Sequence, residues 1–187
     1  MATQKGTEKW KLKQWLDVKV PEILGSEVIG SIPANVSEAA VGRVLKVSLS
    51  WITHNASHSF MTVGLKVSEA NNNVANTQIA YLENQFSYLH SLVRKHSDVL
   101  YTYDKLKLKD SSIMVAKLFA TTHGKVAYSE KRKLRKEISA FLQSYASNYT
   151  QDAFLKNVLS GDMQKEAITH MGRSAPIAKL EIKRIEL

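Results

Sequence analysis

The chain contains no cysteine, which excludes disulfide frameworks, thiolate metal sites and cysteine nucleophiles. It has no apolar run approaching the ~18 residues of a membrane span. Its opening residues, Met1 to Gly6, lack the apolar core of a signal peptide. The sequence therefore predicts a cytoplasmic protein, in which the Asn-x-Ser/Thr matches at Asn35, Asn55 and Asn148 carry no meaning. Internal repeats, low-complexity segments and linkers are also missing. Negative charge is in short supply: 17 acids face 26 Lys and Arg, for a formal net charge of +9.

That excess is localised. Residues 1–20 hold five lysines against two acids, and residues 101–140 hold ten Lys and Arg against four acids. The remaining residues sum to zero. Clustered positive charge implies a polyanionic partner, a nucleic acid or an anionic membrane.

Catalytic signatures are lacking too. Gly25 and Gly30 have the spacing of a phosphate-binding loop, but Ser31 stands where its lysine must be, at a strand start and not between strand and helix. No Gly-x-Ser-x-Gly or Gly-x-Gly-x-x-Gly occurs. His54 and His58 are four apart, a metal-binding spacing only on a helix, and the sequence predicts a turn there. His90, His96, His123 and His170 are scattered singly. The sequence thus predicts no catalytic residues, no metal site, no cofactor and no enzyme.

What is present is a strongly patterned helix running from Ser129 to about Tyr149. Leu134, Ile138, Phe141, Leu142, Tyr145 and Tyr149 fall within about 100° of arc on a helical wheel. Arg132, Lys133, Arg135 and Lys136 lie on the opposite side, and Lys131 completes a group of five cations. Ser129 is the expected N-cap, with Glu130 in the first turn. The cations crowd the helix's positive end, and Arg132 and Lys136 are like charges at i,i+4. Each effect costs about 0.2–1 kcal/mol. A solvated charged face usually mixes signs, so this pattern points to counter-charge supplied from outside.

At the N-terminus, lysines interleave with tryptophans: Lys9, Trp10, Lys11, Lys13, Trp15 and Lys19, before Pro21. A cation beside a flat ring suits phosphate contact plus base stacking. Residues 1–24 read as an extended basic and aromatic arm, and residues 25–187 as a single α+β domain.

Within that domain a short strand is predicted over 27–33, then a loop or helical turn at 35–40. Period-two alternation follows at Leu45, Val47, Leu49 and Trp51, and again at Met61, Val63, Leu65 and Val67. These runs form an antiparallel pair with one wet face. A weaker strand covers 74–82, a helix roughly 84–95, and a hairpin 98–108 with 113–122. Lys105, Lys107 and Lys109 share one face of its first strand. After the basic helix come helices at 151–159 and 162–171, separated by Gly161 and stopped by Gly172, and a last strand 177–187. The expected fold is a mostly antiparallel sheet, open or barrel-like, followed by helices and a closing C-terminal strand.

Two blocks resemble a known family, the eukaryotic-type S1 protein of the small ribosomal subunit of archaea and eukaryotes. Lys13 to Pro21 is similar to its Lys-x-Trp-aromatic-x-Val-x-Ala-Pro opening, and Gly42 to Leu49 to its Gly-Arg-x-x-Glu-Val-Ser-Leu strand. Tyr88 to Lys95 resembles its central basic helix, Gly161 to Glu166 the cap of its last helix, and a Lys/Arg-bearing strand ends both. Leu16 replaces the usual aromatic and Lys46 a usual acid, and the end of the third helix lacks the Tyr-Pro of many members. The long terminal extensions of eukaryotic members are missing, so the chain resembles the archaeal branch.

The resemblance covers about residues 9–187. It implies a non-enzymatic constituent of the small subunit, on the platform near the messenger exit, in contact with ribosomal RNA and neighbouring ribosomal proteins and not with membrane. The expected RNA-binding residues are Lys9, Trp10, Lys11, Lys13, Trp15 and Lys19 of the arm, Arg43, and Lys125, Lys131, Arg132, Lys133, Arg135 and Lys136 around the basic helix. Two alternatives share the basic surface: an RNA-processing or RNA-modifying enzyme, and an RNA-binding regulator outside the ribosome.

Overall fold

A computed structural model describes residues 13–71, 73–172 and 176–187. Chain contacts divide the protein into two compact units, Met1–Ala80 and Tyr81–Leu187.

The first unit is built on strands. β1 (Gln14–Lys19) pairs antiparallel with β2 (Val28–Ala34), with a register shift between Val18 and Lys19. β1 also runs parallel to the start of β5 (Val74–Asn84), Asp17 opposite Val74. β3 (Val44–Ser48) pairs antiparallel with β4 (Met61–Asn71), the arrangement their alternation predicts. β4 in turn pairs with β5. The ladder order is β2-β1-β5-β4-β3, and none of the described pairings joins β2 to β3. It stays open and does not close into a barrel.

Of the expected arm, Lys9, Trp10 and Lys11 lie outside the described residues. From Gln14 onward the chain is a sheet strand, followed by a 3-10 turn at Glu22–Leu24. The reason is an alternation of its own: Leu16, Val18 and Val20 are all buried, while Trp15, Asp17 and Lys19 face out. Leu16 is fully buried in a cluster with Ala34, Ala40, Val67, Ala70 and Ala75.

β3 also departs from expectation. It stops at Ser48, and Leu49–Thr53 form a short helix, α1. Leu49 and Ile52 are buried at helical spacing, and the Thr53 hydroxyl donates to the Leu49 carbonyl at 3.0 Å. Trp51 therefore leaves the strand face and is 70% exposed.

In the second unit, β6 (Val99–Lys107) and β7 (Ile113–Thr122) form the predicted hairpin in unbroken register from Val99–Thr121 to Lys107–Ile113. β8 (Ile177–Glu186) pairs antiparallel with β7 and with the end of β5, Tyr81 opposite Glu186. The last strand thus enters between two earlier ones. α2 (Phe86–Ser91) is shorter than the predicted helix. A turn follows it, in which the Ser97 hydroxyl donates to the Arg94 carbonyl at 2.6 Å and His96 adopts φ 66°.

Three helices complete this unit: α3 (Tyr128–Asn148), α4 (Gln151–Ser160) and α5 (Asp162–Met171). Gly161, at φ 80°, both ends α4 and begins α5, a conformation glycine adopts without a Cβ penalty. α3 packs on β6 and α5 on β8. Leu100, Leu106, Met114, Leu118, Leu180, Ile182 and Ile185 of the strands are buried, as are Leu134, Ile138, Leu142, Phe154, Val158, Met163 and Ala167 of the helices. The architecture is α+β, as the sequence predicts. None of the described helices is long and apolar enough to cross a membrane.

Candidate nucleic-acid interface

α3 is amphipathic in the sense its sequence predicts. Leu134, Ile138, Leu142 and Tyr145 are buried, and Phe141 and Tyr149 are half-buried. Arg132, Lys133, Arg135 and Lys136 are exposed, and none of them has an ion pair among the described residues. Glu137, spaced to support Lys133, makes no such pair. Lys125, just before the helix, is exposed as well.

The helix starts one residue earlier than Ser129, at Tyr128, and its N-cap is Ala127, without a side-chain cap bond. Asp98 serves this end from a distance. Its Oδ2 accepts the Val126 N–H at 2.8 Å and lies 3.0 Å from Lys131 Nζ. The Val126 N–H, and then Lys131, hold the Asp98 carboxyl below its ordinary value. Lys131 is half-buried in this pair. It is the one cation of the run drawn inward; the other four form the outward charge.

In the first unit, Lys13 is half-buried, and Trp15 and Lys19 share the exposed face of β1, with Trp15 55% exposed. Arg43 is exposed, yet its Nη1 donates to the Pro33 carbonyl at 2.9 Å. Pro33 is the register partner of Trp15. Arg43, an expected phosphate donor, uses one guanidinium nitrogen to tie the end of β2 to the turn before β3, beside Trp15.

Arrangements suited to other chemistry are sparse. Among the described residues no cluster of three or more His, Asp or Glu could hold a metal ion. His54 Nε2 faces Glu27 at 3.5 Å, both exposed, and His58 Nδ1 meets the Thr53 hydroxyl at 2.9 Å. A groove of about 460 Å³, lined by Val18, Ile32, Val47 and Trp51 among others, has neither acid nor histidine in its walls. Glu181 is buried enough to hold its carboxyl above the ordinary value, but it accepts the Tyr88 hydroxyl at 3.1 Å and has no histidine or second acid in that bond.

Among the exposed rings that the sequence pattern did not single out are Tyr101, 48% exposed, and Tyr103, 59% exposed, on the outward face of β6. The signal was the same alternation that puts Lys105 and Lys107 on that face.

The family model for the Ribosomal S3Ae family matches residues 1–187. The chain is similar to the small ribosomal subunit protein eS1 of Pyrobaculum aerophilum, 30% identical over 181 residues that span 96% of this chain and 81% of that one. It is 26% identical over 184 residues to the protein of the same name in Thermoplasma volcanium, spanning 98% of this chain and 86% of that one. With that of Sulfurisphaera tokodaii it shares 27% over 180 residues, 96% and 93% of the two chains.

Proposed function

The chain belongs to the Ribosomal S3Ae family, and from that premise we propose that it is a structural, non-enzymatic constituent of the small ribosomal subunit in the cytoplasm. It binds ribosomal RNA on the subunit's platform, near the messenger exit, and contacts neighbouring ribosomal proteins there. The names of its archaeal relatives support the ribosomal role.

One observation carries the RNA reading. α3 buries its apolar face in its own unit and holds out Arg132, Lys133, Arg135 and Lys136, with no ion pair among the described residues. Like charges in close succession on this exposed face, Arg132 and Lys136 at i,i+4 among them, destabilise the free helix. Phosphates reverse that sign, and each contact releases condensed counterions. In the first unit Trp15, Lys19 and Arg43 offer an exposed flat ring and two cationic donors, suited to stacking and phosphate contact. Lys9, Trp10, Lys11 and Lys13 extend that surface in sequence, and Lys125 extends the one on α3.

The test is co-sedimentation with small subunits in a sucrose gradient, comparing the wild type with Arg132→Glu/Lys136→Glu. Wild-type protein travels with the subunit, and the charge-reversed protein shifts toward the free fraction as salt rises. Wild-type protein remaining at the top of the gradient would refute the ribosomal role.

A further inference from the structure

β6 presents a regular outward face. Tyr101, Tyr103, Lys105 and Lys107 are all exposed, while Leu100, Thr102, Asp104 and Leu106 turn inward. Two residues apart on a strand, the tyrosines are about 6.6 Å from each other along the chain. Both rings are held. The Tyr101 ring meets Phe119 edge-on, with centroids 5.5 Å apart and planes at 66°. Lys183 Nζ sits 5.1 Å from the centroid of Tyr101, and Lys117 Nζ 5.8 Å from that of Tyr103. Glu186 fixes Lys117 at 2.8 Å. Exposed aromatic rings that are already positioned lose little side-chain freedom when something stacks on them.

Tyr101, Thr102 and Tyr103 also line one side of an open groove of about 410 Å³. Arg135, Lys136, Ser139 and Gln143 of α3 form the other, and no acid lines it. The groove thus combines flat apolar surface, positive charge and neutral hydrogen-bonding groups within one unit. A peptide partner would need only part of this set; a nucleotide uses all of it.

We propose that this groove binds unpaired RNA, taking two successive bases on Tyr101 and Tyr103 and their phosphates on Arg135, Lys136 and Lys105. Base–aromatic stacking requires free base faces, which a duplex keeps inside its own stack. The site therefore selects single-stranded segments, where the basic face of α3 alone does not. The inference rests on the reading of α3 as an RNA-binding helix and adds a recognition step to it.

The test uses the full chain and three labelled probes followed by fluorescence anisotropy: a uridine decamer, an abasic decamer of equal charge, and an RNA hairpin. Tyr101→Ala/Tyr103→Ala is expected to weaken the uridine decamer by about tenfold or more. The same protein should bind the abasic strand and the hairpin as the wild type does, with an unchanged salt slope. Tyr101→Phe/Tyr103→Phe, which keeps both rings, should match the wild type throughout. Tyr103→Ala alone, at the more exposed position, should lose a smaller but measurable part and serves if the double variant is unstable.

Equal affinity of the alanine variants and the wild type for the uridine decamer would overturn the proposal, and is also the result a protein-docking groove would give. So would a parallel loss on the abasic strand. If Arg132→Glu/Lys136→Glu loses affinity while the alanine variants do not, the basic helix stands and the stacking site falls. If neither loses affinity, both readings fall.

Discussion

Lys131 Nζ lies 3.0 Å from Oδ2 of Asp98, and the same oxygen accepts the Val126 N–H at 2.8 Å. One carboxylate thus fastens the start of α3 to the strand edge and neutralises the first cation of the basic run. The exposed cations of the helix begin after it, at Arg132.

Asp98→Asn is expected to lower the melting temperature at neutral pH. The wild-type carboxyl titrates below its ordinary value of 3.8 in the folded state, so the unfolded chain takes up the proton first as pH falls. The stabilisation is complete above that value and disappears as pH drops through the depressed folded pKa. Melting curves of wild type and variant should be separated at pH 7 and converge in strong acid. Separate curves at both extremes would contradict this origin.

Arg132→Glu/Lys136→Glu is expected to reduce affinity for ribosomal RNA and to lower the magnitude of its log-log salt slope by roughly 1.5, for two lost phosphate contacts. The far-UV circular dichroism should not change, since both side chains are exposed. Lys131→Ala should alter the slope less, because its charge is already met by Asp98. Parallel salt titrations of all three proteins decide the matter.

Leu16→Ala should destabilise the first unit by about 2–5 kcal/mol, the range for a large-to-small change in a packed core. Leu16 is fully buried, although its flanking Trp15 and Asp17 face out. Chemical denaturation gives the value. A loss under 1 kcal/mol, roughly what a surface change costs, would mean that β1 is not anchored as described.

Glu181→Gln tests the opposite pH sign to Asp98. Burial raises the Glu181 carboxyl, and the Tyr88 hydroxyl only partly offsets it. The folded wild type therefore holds its proton longer than the unfolded chain. Its stability falls as pH rises from the ordinary value of 4.5 through the raised folded pKa. The glutamine variant lacks that fall, so its stability relative to the wild type should improve across this window. A flat difference between pH 4 and pH 8 would refute it.

Much of this architecture is written in local periodicity. The β3–β4 pair, the β6–β7 hairpin and the buried face of α3 follow from apolar positions spaced at two or at three and four residues. β1 was harder to read because its charged and aromatic outer positions stand out more than the modest Leu16, Val18 and Val20 between them. β3 ends early for a reason that alternation hides: Leu49 and Ile52 satisfy helical spacing as well. The Asp98 cap of α3 was not legible, since it depends on a hairpin and a loop placing a carboxylate beside a distant helix start. At the candidate interface, the exposed cations of α3 were readable, and the pairing of Lys131 was not. The tether from Arg43 to Pro33 was equally hidden, because a side chain's bond to a backbone carbonyl leaves no pattern in composition.

β8 lies between β7 and the end of β5, although every other element of the second unit precedes it in the chain. During synthesis, the hairpin and the helices therefore emerge before the strand that joins them to β5. Until residues 177–186 leave the ribosome, β7 waits with an unpaired row of N–H and C=O groups, an edge prone to pairing with other chains. A product shortened by this one strand would lack the middle of its sheet and keep that edge open, which marks it for chaperones and proteases.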